Sequence, residues 1–223
     1  MGTPVASDGS LCLNVGCGSS PTPGYLNFDN SPTVVLARAP RLSGLLVKAG
    51  LLGTYQKRFL EMAHTEGIRW ADAARRIPLP DGSARVVYSS HMIEHLDRSA
   101  ARGLLAEIHR VLRPGGVVRL VAPDLKRLAV AYVTGGSADA FVEQTLLAND
   151  QPVGLAARLK LAALGKRDHA WMYDAESLTA LVRAAGFAEV RALPPGESMI
   201  PDPGALDLHE RSSESIYVEA VRP

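Results

Sequence analysis

The chain has 223 residues, 47% of them hydrophobic and 21% charged, with a formal net charge of +1. That composition describes one large or two small globular domains and excludes a disordered chain. The near-neutral balance argues against nucleic acid or an anionic membrane as partner, and 5% aromatics are few for a base-stacking platform.

Taken in order, the N-terminal "MGTPVASDGS" has neither a basic nor an apolar signal region. No apolar run approaches the ~20 residues of a membrane helix, so no membrane is expected and the expected address is the cytoplasm. "LCLNVGCG" (11–18) reads as a buried parallel strand breaking into a glycine turn. Its cysteines, Cys12 and Cys17, form no C-x-x-C pair, and no disulfide is expected. "YLNFDN" (25–30) is a second strand ending in an acid. Residues 33–64 read as mainly helical, broken by Pro40 and by glycines 44, 50 and 53. "GIRWAD" (67–72) and "ARVVYSS" (84–90) are the third and fourth strands.

A helix follows over about 98–112, its apolar positions Ala101, Leu104, Leu105, Ile108, Val111 and Leu112 at helical spacing. "RPGG" (113–116) reads as its stop, and "VVRLVAP" (117–123) as the fifth strand. Residues 125–165 look helical, and 174–187 form a further helix capped by Asp174. "AEVRAL" (188–193) and "SIYVEAV" (215–221) close the set around a Pro/Gly-rich loop. Seven strands with interspersed helices predict one α/β domain over 1–223, with a mainly parallel sheet and helices on both faces. The insertions near 33–64 and 125–165 are expected to cap a substrate site.

Ligands of open α/β sheets bind at the carboxyl ends of the strands. Those ends carry Asn14 and "GCGSSP", then Asp29, Asp72, Ser89–Ser90–His91, and Pro123–Asp124. Gly16 and Gly18 allow close backbone approach. Pro21 spoils the third glycine of a dinucleotide fingerprint. "HMIEH" spaces His91, Glu94 and His95 as a zinc-hydrolase motif would on a helix. No third ligand is assignable, so no metal is expected. His91 reads as acceptor contact, general base or mere wall. His169, with Trp171 and Tyr173 beside it, reads as a second candidate or as a packed aromatic hinge.

"LNVGCG", "NFDN", "ADAARRIPLPDGSARVVYSSHMIEHL" and "HRVLRPGGVVRLVAPD" together resemble the class I S-adenosylmethionine-dependent methyltransferases, and "WMYDAESLTALVRAAGF" looks like the late helix of that family. The short link between the first two strands resembles a subgroup of small-molecule methyltransferases. The resemblance implies a Rossmann-like seven-stranded sheet and S-adenosyl-L-methionine as cofactor, released as S-adenosyl-L-homocysteine. Asn14, Gly16, Cys17 and Gly18 would line the methionine part, Asp29 the ribose, Asp72 and Ala73 the adenine, and Ser90 the region of the sulfonium. His91 is the first candidate base and His169 the second, for an oxygen or nitrogen of a small or medium acceptor such as a natural-product or sugar intermediate. A cofactor-binding sensor or partner subunit would use the same turn. "LSGLLVKAGLL" (42–52) could serve the cap or a homodimer contact.

Overall fold

The computed structural model of the chain describes residues 10–147 and 168–223. Most of the N-terminal segment and the 148–165 part of the second expected insertion lie outside them.

Seven strands form one sheet in the order β3-β2-β1-β4-β5-β7-β6. β1 (Leu11–Val15) pairs in parallel with β2 (Leu26–Asp29) on one side and β4 (Ala84–Ser90) on the other. The chain order therefore reverses at β1, and a crevice opens at the carboxyl ends there. No helix joins β1 to β2. The connecting loop is instead pinned from below: the Asn14 amide donates to Ser20 O and to Thr22 Oγ1, and the Asn27 carboxamide exchanges bonds with Thr22.

The expected third strand shrinks to β3 (Arg69–Trp70), both residues exposed. It lies at the sheet edge with only β2 as neighbour, so nothing extends it. The helical stretch after β2 divides into α1 (Pro32–Ala37), α2 (Pro40–Lys48) and α3 (Thr54–Thr65). The breaks fall before Pro40 and around Gly50, which takes φ +68°. Leu42, Leu45 and Leu51 are exposed there.

β4 leads through a single 3₁₀ turn (Ile93–His95) into α4 (Arg98–Val111), capped by Asp97. β5 (Leu112–Pro123) begins immediately, five residues before the expected start. "RPGG" is thus no separate turn. Gly115 donates to Arg222 O and Arg222 to Gly116 O, so the chain's last strand draws this segment into the sheet. Gly115 supplies the φ of +76° that the irregularity needs.

α5 (Leu125–Val133) and α6 (Ala138–Thr145) follow, then α7 (Ala175–Ala184), whose Asp174–Ser177 capping box fixes its start. β6 (Ala188–Leu193) and β7 (Ser215–Val221) complete the sheet, β7 running antiparallel between β5 and β6.

The main core packs the fully buried Leu104, Leu105 and Ile108 of α4 and Leu178 and Val182 of α7 against one sheet face. On the other face Ile200 and Leu206, from the loop before β7, cover Val86, Tyr88, Val121 and Tyr217. Arg119 and Glu219 face each other across β5 and β7, both fully buried, at 2.7 Å. Arg119 also donates to Glu197 O and Leu208 O, and Ser198 Oγ donates to Glu219, so this pair anchors that covering loop. Among the described residues, no helix is long and apolar enough to cross a membrane.

Candidate active site

The carboxyl ends of β1, β2 and β4 converge on a cavity of about 660 Å³, within the range of small-molecule sites. Gly16, Gly18, Asp29, Ala71 and Ala73 line one wall; Met92, Glu94, His95, Leu96 and His169 line the other. Tyr55 and Phe59 of α3 and Leu146 at the end of α6 border it as well. A smaller adjoining pocket of about 150 Å³ shares Gly16, Gly18, Tyr55, His91 and Arg211, and adds Asn14, Cys17, Ser90, Tyr88 and Glu210.

The glycine wall is internally satisfied. The amides of Gly16 and Cys17 both donate to Phe28 O, and that of Gly18 donates to Asp29 Oδ2 at 3.0 Å. Asp29 Oδ1 accepts from Ser31 N at 2.8 Å. These bonds lock the turn to β2, with Gly16 at φ +70° and Gly18 at φ +49°. A Cβ on Gly16 would lie 2.4 Å from Met92 Cγ, so this glycine also admits the opposite wall. Burial raises the Asp29 carboxyl above its usual range, against the two amides that favour its charge. Burial and the Asp29 charge push the Cys17 thiol far up, which leaves it unreactive. Cys12 and Cys17 form no disulfide.

Asp72 stands beside the cavity rather than among the residues that line it. Its carboxylate lies 3.4 Å from Arg75 Nε, and its carbonyl accepts the amides of Arg75 and Arg76. Its neighbours Ala71 and Ala73 form the surface instead. Behind them, Arg110 donates to Ile77 O and Leu79 O while Glu107 accepts the Ile77 amide, which clamps the segment after β3 onto α4.

The opposite wall is strained and incompletely satisfied. His91 has φ +48°, a conformation costing a non-glycine residue about 1–3 kcal/mol. Leu146 and Arg211, at φ +51° and +49°, line the same cavity. His91 Nε2 lies 2.9 Å from Ser215 Oγ, and Arg211 approaches Nδ1 at 3.1 Å. A guanidinium only donates, so Nδ1 is the acceptor and the proton sits on Nε2.

Glu94 is fully buried, and neither carboxylate oxygen has a hydrogen-bond partner. Its backbone carbonyl is well used, accepting the amides of Ala170 and Trp171 and so holding the returning chain against the 3₁₀ turn. Leu146 O accepts the His169 amide, and Tyr173 O accepts that of Leu125. His169 is thereby fixed beside Glu94. Its Nδ1 lies 2.8 Å from Thr145 O, and burial lowers its pKa.

The zinc-motif reading of "HMIEH" fails on local geometry. The segment is one 3₁₀ turn rather than an α-helix, so His91 and His95 do not share a helical face. His91 turns to Ser215 and Arg211, while His95 meets His169 edge to face at 5.0 Å. One ligating atom each from Glu94, His95 and His169 falls within 4.8 Å of the others.

Sequence reasoning missed Tyr55, Tyr88, Glu210 and Arg211 in this site. The Tyr88 hydroxyl donates to the Glu210 carboxylate, which ties the loop before β7 to β4. Glu210 and Arg211 come from a loop with no periodic pattern, and only the tertiary fold brings them to the glycine turn.

Residues 13–120 match the family described as "Methyltransferase domain". No curated protein sequence matches the chain. A solved structure from Thermotoga maritima, described as a SAM-dependent methyltransferase and possible histamine N-methyltransferase, superposes with a TM-score of 0.50 at 17% identity, covering 96% of this chain and 82% of that one. A SAM-dependent methyltransferase from Methanosarcina mazei gives a TM-score of 0.51 at 14% identity, covering 95% of this chain and 91% of its own. At such identities the superpositions speak for the fold alone. The strand order, the glycine turn facing an acid-ended β2 and the family match, which spans just under half of the chain, together support a methyltransferase of class I that uses S-adenosylmethionine.

Proposed function

We propose that the chain methylates an oxygen or nitrogen of a small or medium-sized acceptor, within the cavity at the carboxyl ends of β1, β2 and β4. One observation carries this reading: one cavity joins the glycine wall to the histidine wall. Its donor set suits the cofactor. Asp29 has carboxylate lone pairs beyond those bound to Gly18 and Ser31, and these suit a ribose diol. Ala71, Ala73, Phe59 and Leu96 offer apolar surface for an adenine, with Asp72 at its margin. Gly16, Cys17 and Gly18 form the floor of the methionine end, and Asn14 holds that floor in shape. Arg211 supplies a cation there for the methionine carboxylate, and Ser90 lies toward the sulfonium end.

When bound, S-adenosylmethionine supplies a methyl group on an already activated sulfonium. The protein's task is to align the acceptor, exclude water and receive a proton where the acceptor carries one. His91 and His169 are the groups at that end. His91 reaches an acceptor proton through Nδ1 only when Arg211 moves aside; His169 keeps the lone pair of Nε2, because Nδ1 is bound to Thr145 O. The helices inserted after β2 and β5 act as a cap, since Tyr55, Phe59 and Leu146 border the cavity. The cap residues at its rim favour a discrete molecule over a polymer.

Calorimetric titration with S-adenosylhomocysteine, followed by methyl-transfer assays over hydroxyl and amine acceptors, tests the reading. One-site binding with turnover of at least one small acceptor is expected. Binding without any turnover would favour a sensor, and a folded protein that fails to bind would end the proposal.

A further inference from the structure

We propose that Glu94, His95 and His169 form a binding site for a divalent first-row transition cation, opening into the acceptor end of the cavity. One ligating atom from each lies within 4.8 Å of the others. Closing on a cation with bonds of about 2.0–2.2 Å requires them to draw together by on the order of 1 Å. A carboxylate and two imidazoles suit zinc and its neighbours, whereas magnesium and calcium prefer oxygen throughout. Three protein ligands leave further coordination positions open, as in catalytic metal centres.

Two independent features point to a ligand here. Glu94 is fully buried, and both its oxygens lack a hydrogen-bond partner. His91 Nδ1 approaches Glu94 Oε1 to 3.4 Å, but with its lone pair taken by Arg211 it has no proton to give that oxygen. A carboxylate buried in this way is costly unless a cation or donor joins it. The second feature is the tautomer of the histidines. His95 Nδ1 lies 3.1 Å from Asp168 O, and His169 Nδ1 lies 2.8 Å from Thr145 O. Both carbonyls only accept, so each Nδ1 carries the proton and each Nε2 keeps its lone pair. Metal-binding histidines are held in this manner. The ligands come from two segments that Glu94 O already joins through Ala170 N and Trp171 N.

All three residues line the same cavity as Gly16, Asp29 and Ala73. On the methyltransferase reading, on which this part of the inference rests, the open positions take an oxygen of the acceptor. That narrows the acceptor to a compound with a hydroxyl or phenol, alone or beside a second oxygen donor. The cation would lower the pKa of that hydroxyl, as it does for bound water. A lone pair given to a metal is no longer a base, so His169 would act through the cation.

The test is calorimetric titration of chelator-stripped, tag-free full-length protein with zinc chloride, repeated with Glu94→Gln, His95→Ala and His64→Ala. One equivalent should bind. Changing a residue that merely supports a ligand costs 10–100-fold, so loss of a ligand should weaken binding by about 100-fold or more. His95 is exposed, so its variant remains folded even if Glu94→Gln does not. His64→Ala should bind as the wild type does. Absence of stoichiometric zinc, or equal affinity in the wild type and His95→Ala, would overturn the site. Titration of the wild type with S-adenosylhomocysteine reads the methyltransferase assignment separately, because it depends on the other wall.

Discussion

The two walls of the cavity are built on opposite terms. On the glycine wall the polar groups answer one another: Gly16, Cys17 and Gly18 bond to β2, Asp29 takes two amides, and Asn14 holds Ser20 and Thr22. On the histidine wall His91 is held at φ +48° and the buried Glu94 carboxylate has no hydrogen-bond partner. Three of the four non-glycine residues with positive φ among the described residues, His91, Leu146 and Arg211, border this cavity. The glycine wall is a finished surface that a ligand meets. The histidine wall carries polar capacity that the protein alone does not use.

The largest effect should come from breaking the finished wall at its charge. Asp29→Ala removes a predicted ribose partner and frees the Gly18 and Ser31 amides together. Charge-assisted hydrogen bonds contribute roughly 1.5–3 kcal/mol each, so S-adenosylhomocysteine should bind at least about 100-fold more weakly. Calorimetry checks this; an Asp29→Ala protein that binds like the wild type would remove Asp29 from the site. Gly16→Ala attacks the same wall sterically. A left-handed alanine costs roughly 1–2 kcal/mol, and its Cβ would overlap Met92. The expected loss is about 2–3 kcal/mol in urea unfolding. Met92→Ala in the same chain should recover the steric part but not the backbone part.

The contrast is sharpened by a pair of substitutions of opposite sign. Asn14→Ala leaves the buried Thr22 hydroxyl and the Ser20 carbonyl without their donor and should destabilise the protein by about 1–3 kcal/mol. Glu94→Met removes a buried carboxylate that accepts no hydrogen bond from the protein. It should raise the stability of the metal-free protein by about 1–3 kcal/mol. Unfolding midpoints of both variants decide the matter, and a destabilised Glu94→Met would show that the carboxylate already has a stabilising role.

The finished wall was also the legible one. Its strand, its glycines and its terminal acid are contiguous in "LNVGCG" and "NFDN", so local chemistry announces the turn. The parallel part of the sheet was legible for the same reason, since β1, β4 and the later half of β5 are short, mainly apolar runs next to turn residues. The histidine wall depends on distant segments. His91 and Glu94 meet Arg211 and His169 only because β7 and the chain after α6 return to the end of β4. The "HMIEH" spacing invited a helical reading that a single 3₁₀ turn does not honour. The early start of β5 was hidden likewise, because "RPGG" joins the sheet through the last residues of the chain.

The smallest effect concerns what supports the finished wall from behind. Glu107 accepts the Ile77 amide and pairs with Arg110, whose guanidinium also holds Ile77 O and Leu79 O. The hydrogen bonds from Arg110 lower the Glu107 pKa below the ordinary glutamate value of about 4.3. A depressed carboxyl contributes stability above its unfolded pKa and loses that contribution as pH falls through the folded one. Glu107→Gln should therefore cost about 1 kcal/mol near neutral pH, the usual size of one such bond. The gap from the wild type should close as the pH is taken below about 4. Urea unfolding of both proteins at stepped pH measures it, and a gap that stays constant into acid would mean that shape rather than charge holds the segment behind Ala73.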